Sequence, residues 1–341
     1  MSETPQATLE PLFPGKPLPL VCRPVSVGLE LTPWAAQNRG LIEAHLSRHG
    51  AILFRNFRSD GEDILERFIP AVSGALMEYH DRATPRTEVK GRVYTATDYP
   101  ADQSIFLHNE SSFAQVWPMK IFFHCSVAPQ QGGETPVADV RRVLARIGAE
   151  TRAKFARLGV MVARNFAGGL LGLPWQTVFQ TNDRALMEQY CKRAGIRFEW
   201  QGENRLRTRQ IRPATARHPR TGEEVWFNHA AALHVSTLDP LLRKTLLKMF
   251  REETLPNNTY YGDGSPIEDS VLAEIRRAYD DETVAFSWQQ GDLLALDNML
   301  AAHGRRPFTG PRKILVGMAE PMSWDELPGL TLQASRKSPA R

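Results

Sequence analysis

Three residues with metal-ligating side chains carry the chemistry that this sequence suggests. His108 and Glu110 are separated by a single residue, and His303 lies far along the chain. Two neutral imidazoles and one carboxylate can occupy one face of an octahedral Fe(II) ion, leaving three positions for a bidentate cosubstrate and O2. Residues i and i+2 of a β-strand point to the same side, so we expect His108 and Glu110 to reach one metal while Asn109 faces away. A His-x-Glu pair alone is weak evidence, because such pairs are common by chance.

Composition favours an intracellular globular protein. The 341 residues, 42% of them hydrophobic, are enough to bury a full core. The net charge of +4 comes from 42 basic and 38 acidic residues mixed along the chain, which gives no sign of a nucleic-acid partner. Three scattered cysteines suggest a reducing cytoplasm. Since we find neither a membrane-spanning apolar run nor a signal peptide, we expect a cytoplasmic protein without a membrane partner.

The spacing of apolar residues predicts mixed secondary structure. A helix from Asn38 to His49 should end at Gly50, and Ala51 to Phe54 should form a buried strand. Further helices are predicted over 62–72, 141–158, 182–194, 241–254 and 269–280. Further strands are predicted over 93–97, the His108 region, 121–125, 135–138, 283–286, 293–296 and 313–318, with a hairpin joining 206–216 to 225–227.

Strands early and late in the chain, with a long insertion between them, favour an α+β fold whose core is a double-stranded β-helix (jelly roll) with flanking helices. Such a closed sheet brings together ligands that are distant in sequence. We expect an extended lead-in over residues 1–20 and a single jelly-roll domain over 21–325. The insertion is expected at about 165–280, between the metal-ligand strands. Residues 326–341 are expected to form a basic, frayed tail.

Three motifs resemble a known enzyme family in their order and spacing. They are His108-Asn109-Glu110; Gly132-Gly133-Glu134-Thr135-Pro136; and Asp297-Asn298 with His303-Gly304-Arg305 and Gly310-Pro311-Arg312. Together they resemble the Fe(II)/2-oxoglutarate-dependent dioxygenases of the taurine dioxygenase-like (TauD/TfdA) family. The similarity is greatest to the branch of clavaminate synthase-like and syringomycin-type amino acid hydroxylases, and it covers roughly residues 20 to 322.

The resemblance implies that His108, Glu110 and His303 hold iron, and that Thr135 and Arg312 hold 2-oxoglutarate. An arginine offers a planar fork of donors that matches a carboxylate. A threonine hydroxyl would add a hydrogen bond worth about 1 kcal/mol. Arg312 follows His303 by nine positions, a shorter gap than in many relatives. Arg305 or Arg306 therefore remains an alternative for the same role.

Glu110 also bears on the type of oxidation. Related halogenases replace the metal carboxylate with a small residue, so that chloride can bind iron. Since Glu110 is present here, the resemblance implies hydroxylation, or a related epoxidation or desaturation, rather than halogenation.

Several polar side chains near these motifs are candidates for substrate contact, and for His229 a core or loop role is the alternative. The candidates are Tyr94, Thr97, Ser104, Asn228 and His229. Four arginines also alternate along one segment, and we interpret them as the charged, solvated edge of a strand rather than a nucleic-acid site. They are Arg205, Arg207, Arg209 and Arg212.

The resemblance thus implies an oxygenase dependent on Fe(II), 2-oxoglutarate and O2 that acts in specialised, antibiotic-type metabolism. Its expected substrate is an amino acid or an amino-acid-derived intermediate, free or tethered to a carrier protein. A non-catalytic jelly roll that binds a small molecule is the alternative from another class. A further alternative is a hydrolytic zinc enzyme on the same ligands. Such an enzyme would prefer a tetrahedral site with an activated water and would not depend on oxygen. The sequence leaves open the substrate, the carbon attacked, the stereochemistry and the oligomeric state.

Overall fold

The computed structural model describes residues 6–59, 61, 63–78, 88–96, 99–166 and 173–327. Within these ranges the strands are β1 (Ala7–Pro11), β2 (Leu20–Pro24), β3 (Ala51–Phe54), β4 (Glu88–Lys90), β5 (Val93–Thr95), β6 (Ile105–His108), β7 (Val116–Val127), β8 (Gln131–Gly132), β9 (Val137–Asp139), β10 (Val160–Phe166), β11 (Arg197–Trp200), β12 (Leu206–Arg212), β13 (Thr215–Arg217), β14 (Glu224–Trp226), β15 (Asn257–Tyr261), β16 (Leu293–Asp297), β17 (Ala301–Arg305), β18 (Phe308–Thr309) and β19 (Lys313–Ser323).

The helices in the same ranges are α1 (Leu31–Gln37), α2 (Arg39–His49), α3 (Ile64–Val72), α4 (Val140–Arg146), α5 (Ala149–Leu158), α6 (Trp175–Phe179), α7 (Arg184–Arg193), α8 (Pro240–Met249) and α9 (Asp269–Glu282). No helix among the described residues has the length and apolar character needed to cross a bilayer.

The chain divides into two compact units. The first comprises residues 1–111, 116–140 and 282–322, and the second comprises 112–115, 141–281 and 323–341. The insertion expected at about 165–280 falls within the main segment of the second unit, which begins earlier, at Arg141. β1 pairs with β2, so part of the expected lead-in belongs to a sheet. Residues 328–341, most of the expected tail, lie outside the described ranges.

Two main sheets build the first unit. The larger has the strand order β1-β2-β3-β16-β7-β19-β5-β4, and the smaller has the order β6-β17-β9. β16 belongs to the larger sheet, whereas β17, the next strand along the chain, lies at the centre of the smaller one. The short turn between β16 and β17 therefore carries the chain from one sheet to the other.

The alternation of side chains along each strand explains the two cores of the first unit. Ile52 and Phe54 of β3 pack in a cluster with apolar residues of α1, α2 and α3. Ala51 and Leu53 point to the opposite face and pack in a second cluster, which also contains Val137 of β9. Successive strand residues face opposite sides, so one run of four buried residues serves both cores. The predicted buried strand is confirmed, and so is the helix end at Gly50, which has a left-handed φ of 78°.

Two predicted elements differ from the structure. The helix expected over 141–158 is divided into α4 and α5, because Glu274 of α9 accepts hydrogen bonds from the Gly148 backbone N–H and the Thr151 hydroxyl at the start of α5. A carboxylate at the start of a helix accepts hydrogen bonds from N–H groups that have no partner within the helix, and its negative charge interacts favourably with the helix dipole. Residues 283–286 form no strand and contribute only a single bridge, between Val137 and Val284.

A four-stranded sheet with the order β11-β12-β10-β15 forms the centre of the second unit. The arginines of β12 were interpreted as the charged, solvated edge of a strand, but β12 lies inside the sheet, where it pairs with β11 on one side and β10 on the other. Arg209 is exposed, whereas its neighbours Thr208 and Gln210 are buried. The alternation therefore reflects a sheet with one solvated face.

Candidate metal and cosubstrate site

The smaller sheet of the first unit places the two histidines side by side. His303 lies at the centre of β17 and pairs directly with His108 of β6, and on its other side with Val137 of β9. The two imidazole centroids are 4.6 Å apart. Strand pairing alone thus brings together ligands from opposite ends of the sequence, as the jelly-roll prediction required.

Glu110 completes a group of three metal-ligating side chains. Its Oε2 atom lies 4.0 Å from Nε2 of His108 and 3.9 Å from Nε2 of His303. Each residue offers one ligand atom, and these atoms all lie within 4.8 Å of one another. Glu110 and His303 are each only 4% exposed. Two imidazoles and one carboxylate gathered at a buried point form a donor set that fits Fe(II).

A hydrogen bond fixes the tautomer of His108. Its Nδ1 lies 2.9 Å from the carbonyl oxygen of Phe106. Because a carbonyl can only accept, Nδ1 is the donor, and Nε2 is the ring nitrogen nearer Glu110. Such a partner is usual for metal-binding imidazoles, since it fixes the ring orientation.

The strand alternation predicted for His108 and Glu110 is wrong in detail. β6 ends at His108, and Glu110 begins a turn in which Ser111 has a left-handed φ of 56°. The Glu110 backbone is instead held by the side chain of Asn298, which accepts from its N–H at 2.7 Å and donates to its carbonyl at 2.9 Å. The sequence analysis identified Asn298 as part of a family motif but predicted no role for it.

The close approach of β6 and β17 leads to a prediction about Gly304. A Cβ atom added to Gly304 would lie 2.6 Å from the backbone oxygen of Ile105. Gly304→Ala should therefore push β6 away from β17, lower the free energy of unfolding by about 1–3 kcal/mol, and weaken metal binding. Thermal unfolding and a metal titration measure the two effects.

Gly40→Ala is the matched control for Gly304→Ala. Gly40 lies in α2, and an added Cβ would meet nothing within 4 Å. Alanine favours a helix over glycine by about 0.5–1 kcal/mol, so this variant should be as stable as the wild type or more so. If both variants unfold like the wild type, the two strands tolerate separation and the steric argument fails.

One cleft in the first unit joins the histidines to the predicted cosubstrate residues. Its lining includes His108, His303, Thr135 and Arg312. The Thr135 hydroxyl, 3% exposed, accepts a hydrogen bond from Nε1 of Trp288 at 3.1 Å and retains its own proton as a donor. Nε of Arg312 donates to the carbonyl of Gly133 at 3.1 Å, which restrains the plane of the guanidinium.

Two glycines allow the segment before Thr135 to approach the segment before Arg312. Gly132 and Gly133 both have left-handed φ values, 67° and 71°. A Cβ on Gly132 would lie 2.2 Å from the carbonyl oxygen of Pro307, and one on Gly133 would lie 3.1 Å from Cδ of Arg312. Glycine is thus required at both positions by conformation and by space.

The electrostatics of this end of the cleft favour an anion. Burial, together with the positive charge of nearby Arg305, lowers the pKa of Arg312 to about 10. The guanidinium is still cationic at neutral pH, but it has lost water and faces a like charge. No carboxylate is among the described residues that line the cleft. A bound carboxylate would compensate both costs.

The alternative cosubstrate arginines occupy different surroundings. Arg305 lines the same cleft, but its Nη atoms donate to the backbone carbonyls of Tyr99, Pro100 and Gln103. Its guanidinium thus holds the segment preceding β6. Arg306 is exposed and is not among the lining residues. These placements favour Arg312 over both.

Among the candidate substrate residues, Tyr94 and Ser104 belong to the first unit, and neither is a lining residue of the cleft. Tyr94 is buried in the core between the two sheets, Ser104 is exposed before β6, and Thr97 lies outside the described residues. Asn228 and His229 belong to the second unit. Asn228 stabilises its own turn, donating to the Ala214 carbonyl and accepting from the Ala230 N–H. His229 is buried, with Nδ1 2.7 Å from the Ser112 hydroxyl.

Comparison with known proteins identifies the family. The model of the taurine catabolism dioxygenase TauD, TfdA family matches residues 14–319. The chain therefore belongs to this family. It is a dioxygenase that depends on Fe(II), 2-oxoglutarate and O2, which confirms the enzymatic prediction over non-catalytic binding.

Individual relatives agree with this assignment. The chain is 40% identical over 281 residues to the dapdiamide synthesis protein DdaC of Enterobacter agglomerans, covering 82% of this chain and 85% of DdaC. It is 29% identical over 325 residues to a clavaminate synthase-like protein of Arabidopsis thaliana, covering 90% and 95%. The crystal structure of PvcB from Pseudomonas aeruginosa matches with a TM-score of 0.57 at 17% identity, covering 93% of this chain and 92% of PvcB. PvcB is described as an Fe, α-ketoglutarate-dependent oxygenase from an isonitrile synthetic pathway. The likeness supports the jelly-roll prediction.

Proposed function

We propose that this dioxygenase hydroxylates an unactivated C–H bond of an amino acid or an amino-acid-derived intermediate, free or carrier-tethered, in a specialised biosynthetic pathway. His108, Glu110 and His303 would hold Fe(II), and Thr135 and Arg312 would hold 2-oxoglutarate. The observation that carries the proposal is the single cleft lined by both imidazoles together with Thr135 and Arg312. The biosynthetic context is supported by the similarity to DdaC, a dapdiamide synthesis protein.

Each residue has a distinct part in this proposal. The bound iron would supply the activation of O2 and the oxidising power for the C–H bond. The protein groups bind and orient: Arg312 would pair with the distal carboxylate of 2-oxoglutarate through its planar fork, and the Thr135 hydroxyl would donate to the same end. The hydrogen bond from Nδ1 of His108 to the Phe106 carbonyl would orient the ring so that Nε2 faces the metal.

Succinate release is the most direct test of the proposed function. The enzyme should convert 2-oxoglutarate to succinate aerobically with Fe(II), faster when the right compound from a panel of free and carrier-bound amino acids is present. The product should gain one oxygen, about 16 Da, whereas desaturation would remove about 2 Da. An oxygen-free reaction is the control. Stimulation by no amino-acid-like compound, but by another chemical class, would contradict the substrate proposal.

Halide buffers test the choice of oxidation. A carboxylate ligand occupies the position that chloride would need on the metal, so the wild type should add oxygen and no halogen, even in concentrated chloride or bromide. Mass spectrometry of the product is the measurement. A chlorinated product from the unmodified enzyme would show that Glu110 does not bind the iron. Glu110→Gly should lose iron and activity rather than halogenate, because ligand orientation depends on partners shaped for a carboxylate.

A further inference from the structure

Asn298 is a fully buried amide in the turn that joins β16 to β17. Its backbone N–H donates to the carbonyl of Met119 at 2.8 Å, and its side-chain Nδ2 donates to the carbonyl of Pro118 at 2.8 Å. Two bonds therefore attach this turn to β7 in the larger sheet. His303 lies on the strand that follows directly, so the turn is tied both to the sheet and to a candidate ligand strand.

The same side chain holds both backbone polar groups of Glu110. Oδ1 accepts from the Glu110 N–H at 2.7 Å, and Nδ2 donates to the Glu110 carbonyl at 2.9 Å. Asn109, also fully buried, donates from its Nδ2 to the Asn298 carbonyl at 2.6 Å. Three hydrogen bonds thus connect Asn298 with the two residues that follow β6, and two more connect it with the start of β7.

This restraint matters because no strand pairing reaches Glu110. β6 ends at His108, and the left-handed Ser111 turns the chain directly after the carboxylate residue. A side chain on a turn that lies outside the strand pairing would sample several directions unless the backbone beneath it is fixed. The amide of asparagine suits this task because it accepts at one atom and donates two hydrogen bonds at the other.

We propose that Asn298 is a positioning residue for the metal site: it fixes the backbone of Glu110 so that the carboxylate faces His108 and His303. Asn109 supports Asn298 from the other side. The inference rests on the proposed function, since it takes Glu110 as an iron ligand. The Asp297-Asn298 motif would then orient the Glu110 carboxylate in addition to closing a turn.

Metal affinity separates positioning from ordinary stability. Asn258, on β15 of the second unit, is the matched control: it is 2% exposed, accepts from the Val235 N–H at 3.0 Å and donates to Glu252 at 2.9 Å. Asn258→Ala should lower the thermal midpoint, as Asn298→Ala should, but only the latter removes contacts to a ligand residue.

The experiment titrates the full-length apoprotein with Mn(II), a redox-inert substitute, and follows free Mn(II) by electron paramagnetic resonance. We expect Asn298→Ala to raise the dissociation constant about 10- to 100-fold, in the range of other residues that orient metal ligands. Asn109→Ala removes one supporting bond and should raise it several-fold. Asn258→Ala should leave it within about twofold of the wild type. Glu110→Ala is included as the test of the ligand assignment itself, and thermal unfolding of every variant is recorded in parallel.

The outcomes distinguish the two proposals. If Glu110→Ala binds Mn(II) like the wild type, the ligand assignment fails. If Glu110→Ala loses affinity while Asn298→Ala and Asn109→Ala keep it, Glu110 stands as a ligand and the positioning role is wrong. Equal weakening in Asn258→Ala would also overturn the positioning role, because the effect would then follow stability alone. Should Asn298→Ala fail to fold, Asn109→Ala decides the question.

Discussion

Alanine at His108, Glu110 or His303 is expected to abolish succinate formation while leaving the fold intact. Each substitution removes one of three ligand atoms that lie within 4.8 Å of one another, and two protein ligands cannot hold the metal as tightly as three. Each substitution also removes a polar group whose burial is costly, so the stability of the metal-free protein should change little. The measurements are turnover and, anaerobically, the weak visible charge-transfer band of Fe(II) with 2-oxoglutarate.

The control for these variants is His49→Ala. His49 lies on α2, and its ring nitrogen is 3.0 Å from the Pro17 carbonyl. Losing that bond should cost about 1 kcal/mol of stability and no activity. Retention of the band and of turnover in all three ligand variants would show that the iron binds elsewhere.

Arg312→Lys should raise the KM for 2-oxoglutarate about 10- to 100-fold, with a much smaller effect on the iron requirement. Lysine keeps the positive charge but loses the planar fork, and with it the Nε bond to Gly133 that orients the group. A hydrogen bond to a charged partner contributes about 1.5–3 kcal/mol, which corresponds to this range. Steady-state kinetics with varied 2-oxoglutarate, and separately with varied Fe(II), measure the two requirements.

Two neighbouring arginines serve as comparisons for Arg312→Lys. Arg306→Lys changes an exposed side chain and should be silent. Arg305→Lys should mainly lower stability, because Arg305 donates to the carbonyls of Tyr99, Pro100 and Gln103. A silent Arg312→Lys beside a large rise in KM for Arg305→Lys would move the cosubstrate anchor to Arg305.

The features that could be predicted from sequence were those set by local patterns or by the family motifs. Apolar runs gave β3 and the end of α2 at Gly50, because strand burial and a glycine stop act over a few residues. The motifs singled out His108, Glu110, His303, Thr135 and Arg312, and the structure brings these residues together in the first unit.

The errors arose where distant residues decide local structure. Glu110 is positioned by Asn298, 188 positions away, and not by the strand periodicity of its neighbours. α5 begins where Glu274, 126 positions from Gly148, accepts the backbone N–H. The side chain of Tyr94, on β5, packs in a core cluster, which sequence proximity to a motif did not indicate. Periodicity carries no information about such long-range partners.

The direct pairing of His303 with His108 has a consequence for folding kinetics. The partners on β17 and β6 come from distant parts of the chain, as do Glu110 and Asn298. Closing so long a loop costs chain entropy before any pairing can compensate, so contacts of this separation slow folding. In the unfolded chain His303 is far in sequence from His108 and Glu110, so a metal held by all three would bind the native state more tightly. At a free metal concentration 100 times the dissociation constant, this linkage raises the free energy of unfolding by about 2.7 kcal/mol. The iron that serves the oxidation would thus also shift the folding equilibrium of the first unit, and a cell short of iron would hold a larger unfolded fraction of this enzyme.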